Sequence, residues 1–146
     1  AHTKLNTSAQ SATDKNEYYA DILSEALTAV DNAASAYSTM RTKISALRTS
    51  TFDSKYMDVL NSNMTTYLKA AKYTQAVASY CDILASAPSA YSSAYSQLKT
   101  ARDNLNWCMD LMTMAQYDNT LSNFKSETNT YINAATSAAN KAKGYL

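Results

Sequence analysis

The sequence predicts an all-α protein, an antiparallel up-down-up-down four-helix bundle, and three observations carry that prediction. Gly144 and Pro88 are the only glycine and proline in 146 residues, which leaves almost nothing from which to build tight turns, bulges or phosphate loops. Tyr19, Leu23, Ala26, Val30, Ala33, Tyr37, Met40, Ile44 and Leu47 follow one another at steps of four and three, a spacing that puts them on one stripe of a helix and that no strand reproduces. Three further stripes of similar length follow, separated by short breaks in register.

Residues 1–13 form an N-terminal arm, polar apart from Leu5, Ala9 and Ala12, that either extends the first helix or lies against the bundle. Asp14 and Glu17 have the form of a capping box and mark the start of the first well-packed helix. Along it, Glu17, Asp21, Glu25 and Asp31 precede Arg41, Lys43 and Arg48, so acid sits at the positive end of the helix macrodipole and base at the negative end. Single carboxylates four apart on one helix make a solvated face, not a cation site, because hard metals need several oxygens converging from different directions.

Thr49, Ser50 and Thr51 break the first pattern, and Asp53 suits the N-cap of a second helix reaching about Ala85. Its core stripe reads Met57, Leu60, Met64, Tyr67, Ala71, Thr74, Ala78, Cys81 and Ala85, with a second stripe, Tyr73, Val77, Tyr80 and Leu84, beside it. Ser86 to Ser89 form the next turn, where Pro88 is tolerated only in a first helical turn. The third helix carries Tyr91, Ala94, Leu98, Ala101, Leu105, Cys108, Met112 and Ala115. Carried onward, that register would bury Asn119, Ser122 and Asn129, so it breaks at residues 118–120. A fourth helix follows with Leu121, Phe124, Thr128, Tyr131, Ala135, Ala138 and Ala142, ending at Gly144 in a left-handed cap. The segments are about 25 to 34 residues, or about 40 to 50 Å, and short loops make sequential neighbours antiparallel. A three-helix bundle with one long C-terminal helix is the alternative. Either way residues 1–146 are one domain, long enough to build its own core.

Charged residues make up 17% of the chain against about 25% ordinarily, and Ala, Ser, Thr, Asn and Tyr fill the difference. Low charge suits an extracellular or cell-surface setting, or an assembly in which copies bury one another's faces. A net charge of +1 supplies no field to recruit nucleic acid or acidic lipid, and no apolar run is long enough for a transmembrane segment. No secretory signal is visible, and a start at Ala1 suits equally a mature product whose leader was removed or a scar left by expression. Asn6-Thr7-Ser8 and Asn63-Met64-Thr65 fit the N-glycan acceptor pattern, a weak signal in a chain this rich in Asn, Ser and Thr.

The inventory of reactive groups points away from an enzyme. His2 is the single histidine and lies on the arm, so neither a catalytic triad nor a paired Glu-x-x-His di-iron site can be assembled, and the inward stripes hold no carboxylate pair. No cofactor is expected. A remote exception is sulfur: hairpin arithmetic places Met40, Met64, Cys108 and Met112 at similar heights on inward stripes, a ligand set that suits Cu(I) or a haem axial bond, although Met and free Cys are ordinary core fillers. The hairpin between helices two and three separates Cys81 from Cys108 by about 22 Å, too far for a disulfide.

The expected function is therefore a non-catalytic structural or protein-interaction module that self-associates, as a homo-oligomer, or meets a protein partner through helix faces. Tyr73, Val77, Tyr80 and Leu84 on the flank of helix two, with Trp107, are the candidate interaction surface, because aromatics off the core stripe are the residues interfaces use as anchors. An extracytoplasmic ligand-binding sensor bundle is the alternative, with Thr74 and Thr128 the inward polar groups able to line a cavity.

Overall fold

A computed structural model describes residues 13–47, 53–117 and 124–146. Four α-helices pack against one another with no strand among the described residues: α1 (Thr13–Leu47), α2 (Asp53–Leu84), α3 (Ser92–Tyr117) and α4 (Phe124–Lys143). Helices three and four are separate and packed together, so the fused three-helix alternative does not apply. The breaks expected at residues 49–52 and 118–120, the arm, and the side chains of Asp14, Met57, Leu60 and Asn63 lie outside what is described.

Each helix forms because its apolar residues recur at helical spacing, and each can bury that stripe only against the others. On α1 the stripe is as expected: Leu23, Ala26, Val30, Ala33, Tyr37, Met40 and Ile44 are buried. Leu27, Ala29, Ala34 and Ala36 are buried as well, widening the face. That width follows from position, because α1 packs on all three other helices. It lies across from α3 on the short diagonal of a flattened bundle, whereas α2 and α4 occupy the far corners and scarcely meet. Tyr91 just before α3 and Ala94, Leu98, Ala101, Leu105, Cys108 and Met112 on it are all buried; on α4 Phe124, Thr128, Ala135, Ala138 and Ala142 are joined by Ile132 and Ala139, whereas Tyr131, expected inward, is half-buried.

The stripe expected on α2 needs correction. Met64 is 45% exposed and Ala85 is exposed; among the described side chains the buried ones are Ala70, Thr74, Val77, Cys81 and Leu84, which run between the two stripes read from the sequence. The cause is unequal neighbours. Helix α2 packs far more extensively on α1 than on α3, and this rolls its buried face toward the flank that carries Val77 and Leu84.

Between α2 and α3 the chain tightens before it breaks. Ser86 and Ala87 donate to the carbonyls of Ile83 and Leu84 at 3.2 and 3.1 Å, Pro88 adopts φ −55° and ψ 159°, and a 3-10 turn (Ser89–Tyr91) leads into α3. Tyr91 is buried there and meets the ring of Tyr19 edge to face at 5.9 Å, sealing the corner against the start of α1. The left-handed cap expected at Gly144 is absent. Backbone donors of Gly144, Tyr145 and Leu146 reach back three residues to Lys141, Ala142 and Lys143 instead, so the last turn closes by tightening.

Candidate interaction surface

The surface chemistry begins with threonine. Thr28, Thr39, Thr42, Thr100 and Thr130 each turn the hydroxyl back to the carbonyl four residues earlier, at 2.9 to 3.3 Å. A hydroxyl satisfied in this way leaves the methyl group as the part offered to the surroundings. A helix face that reads as polar in the sequence is thus partly apolar in fact.

Along the seam of α1 and α2 the outcome differs with height, mainly apolar surface beside Thr28 and mainly polar surface beside Thr39. Two contiguous grooves run there, of about 370 and 270 Å³. Ser24, Glu25, Thr28, Ala29 and Asn32 line one and Asn32, Ser35, Ala36 and Thr39 the other, so α1 contributes a floor of small residues. Tyr73 borders both and Tyr80 borders the first. From Ser24 to Thr39 the floor extends about 22 Å at helical rise. Glu25 and Lys72 lie on the first groove and Lys69 on the second. Burial and the Glu25 carboxylate, to which the Tyr80 hydroxyl hydrogen-bonds, raise the Tyr80 phenol above its ordinary value, so Tyr80 stays neutral and is tied across the seam to α1.

The five residues read as one surface are divided by the structure. Tyr73 and Tyr80 are half-buried walls of the groove. Val77 and Leu84 are core residues, because the roll of α2 toward α1 turns exactly one of every two flank positions inward. Trp107 is 53% exposed but stands on α3 against Tyr131 of α4, at the opposite edge of the bundle. The flank is therefore not one apolar patch; it is two tyrosines over a small-residue floor. The sequence marked Tyr73 and Tyr80 but missed the floor, whose only signal was the run of Ala, Ser and Thr on α1 between Ser24 and Thr39.

The other candidates are placed as follows. Met40, Cys108 and Met112 are buried, but Met64 is on the outside of α2, so the four sulfurs do not share a dry pocket. Cys81 and Cys108 are free and buried, and burial lifts the thiols to about 11 and about 12, which leaves neither a thiolate to bind metal nor one to react at neutral pH. No group of three His, Cys, Asp or Glu side chains converges among the described residues. Glu17, Asp21 and Glu25 are exposed, spread along α1.

Among the described residues Thr74 and Thr128 are the two buried polar side chains, and both are already engaged. Thr128 donates to the Phe124 carbonyl at 2.7 Å. Thr74 donates to the Ala70 carbonyl at 2.8 Å, which uses its one proton, so the Tyr37 hydroxyl 2.8 Å away is the donor to Thr74. The result is a directed chain, Tyr37 to Thr74 to Ala70, that locks α2 to α1 in the core. Burial pushes the Tyr37 phenol well above the ordinary tyrosine range. Neither threonine has a hydroxyl proton to spare for a ligand.

No helix among the described residues is long and apolar enough to cross a membrane. No protein-family model, no curated protein and no solved structure matches the chain, so its surface has to be read from its own geometry.

Proposed function

We propose that this protein is a non-catalytic interaction module, secreted or displayed at a cell surface, that pairs with a second copy of itself through the α1–α2 groove. The carrying observation is the groove itself: two tyrosines stand over about 22 Å of small side chains, a shape that accepts a ridge from another helix. Self-pairing is favoured over a foreign partner because the groove holds opposite charges. In a two-fold pair, Lys72 of each copy can approach Glu25 of the other, and the contact is then self-complementary. A chain with 17% charged residues and a net charge of +1 adds little repulsion between copies.

The test is sedimentation across a concentration series. Wild type is expected to shift from monomer to dimer, and Tyr73→Asp with Tyr80→Asp to remain monomeric at every concentration while keeping its helical signal and cooperative melt. Leu68→Asp is the control, because Leu68 is 60% exposed and does not border the groove; it should dimerise like wild type. A monomeric wild type at high concentration, or a dimer that survives the double substitution, rejects the reading.

A further inference from the structure

At the opposite edge of the bundle, Trp107, Asp110 and Leu111 occupy positions i, i+3 and i+4 of α3 and so share one face. Tyr131 of α4 meets them. The Trp107 and Tyr131 rings are 5.1 Å apart with their planes 76° from one another. This edge-to-face contact fixes the two rings at nearly a right angle to one another, the edge of one against the face of the other. Among the described residues, these four line a pocket of about 290 Å³. Asp110 is exposed, and the ion pairs among the described residues, Arg102 with Asp103 and Lys143 with Asp31, do not include it.

We infer that this corner binds a small alkylammonium ion, with Trp107 and Tyr131 presenting ring surfaces to the cation, Asp110 supplying the counter-charge and Leu111 contacting its alkyl groups. Each alternative class is disfavoured by the same residues. A hard metal ion would find one carboxylate and no converging partners. An anion or a nucleic-acid phosphate would meet Asp110, and no base is among the described residues that line the pocket. A neutral apolar molecule would fit the rings and Leu111 but would make no use of the Asp110 charge beside them. A methylated ammonium satisfies all four residues, because its charge is spread over methyl groups that contact ring faces while the carboxylate remains nearby. The volume, at the lower end of small-molecule sites, is sufficient for a head group of this kind. This site shares no residue with the α1–α2 groove, and either reading stands without the other.

Trp107 is the only tryptophan in the chain, so its fluorescence reports on this corner directly. Choline titrated at constant ionic strength is expected to change that fluorescence saturably, with half-saturation at about millimolar concentration, as suits an exposed cation–π site. The neutral isostere 3,3-dimethyl-1-butanol, equal in shape and lacking the charge, should produce no saturable change. Asp110→Asn should weaken choline binding about threefold to tenfold while the helical signal and melt stay those of wild type. Because Asp110 is exposed, that variant does not endanger the fold. Equal responses to choline and its isostere, no saturable response to choline, or an Asp110→Asn variant that binds choline like wild type would each overturn the assignment.

Discussion

Helices α1 and α2 are of similar length and carry similar proportions of Ala, Ser, Thr and Tyr, yet one buries a wide face and the other a narrow one. The difference is position. Helix α1 sits on the short diagonal and has all three other helices as neighbours, so residues beside its stripe, such as Leu27, Ala34 and Ala36, are buried with it. Helix α2 sits at a corner and leans on α1, so its core is a single row and its flanks remain available: Tyr73 and Tyr80 on the groove side, Met64 and Leu68 on the outside. A helix's burial is a property of its place in the bundle as much as of its own pattern, and the corner helix is where a surface for other molecules can be built without weakening the core.

The largest effect should separate the two helices by leucine truncation. Leu23→Ala on α1 removes a fully buried side chain and is expected to destabilise the protein by about 2–5 kcal/mol. Leu68→Ala on α2 should change stability by less than about 0.5 kcal/mol, both measured by urea unfolding. Equal losses would mean that α2 buries its outer face and that the corner description is wrong.

Alkaline unfolding sharpens the comparison between a corner helix and the diagonal pair. In the unfolded chain both thiols release their protons near the ordinary value of 9.0, whereas the fold holds them to about 11 for Cys81 on α2 and about 12 for Cys108 on α3. The native state then binds more protons than the unfolded state, so the contribution is fully present below pH 9 and is lost as pH rises through the folded values. Tyr37 extends the decline in the same direction. Stability should therefore fall steadily above about pH 9, and a Cys108→Ala variant should show a shallower decline. At pH 8 both thiols should resist a thiol reagent until the protein is denatured, with Cys81 the first to react as pH rises.

A smaller effect tests the lock between α1 and α2. Tyr37→Phe removes the donor to Thr74 in the core and is expected to lower stability by about 1 kcal/mol. Tyr67→Phe removes the analogous contact to Thr113 across the α2–α3 seam, where the 3.2 Å bond is exposed, and should lose about 0.5 kcal/mol or less. The order of the two values checks that α2 belongs more to α1 than to α3.

The smallest effect concerns α4, the other corner. Lys143 and Asp31 pair at 2.6 Å with both side chains substantially exposed. Asp31→Asn should lower stability by less than about 1 kcal/mol in low salt and by nothing measurable in high salt.

The chain's own order of residues determined the fold class, the number of helices, the turn at residues 86–88 and the inward stripes of α1, α3 and α4 apart from the half-buried Tyr19 and Tyr131. Those are local matters: a period of three and four needs only the chain to state it, and a single Pro in a chain without other breakers has one place to act. Which side of α2 is buried was not local. Two stripes of comparable apolarity lay side by side, and the choice fell between them once α1 and α3 competed unequally for the helix, a fact that exists only when all four are assembled. The same holds for both surfaces. Tyr73 and Tyr80 were legible as off-stripe aromatics, but the groove they border needed α1 alongside, with its residues from Ser24 to Thr39 facing them. Trp107 was legible as exposed, but its cation-binding corner required Tyr131, 24 positions away in the chain and 5.1 Å away in space. Periodicity carries the direction a side chain takes from its own helix axis; only packing decides what stands on the other side.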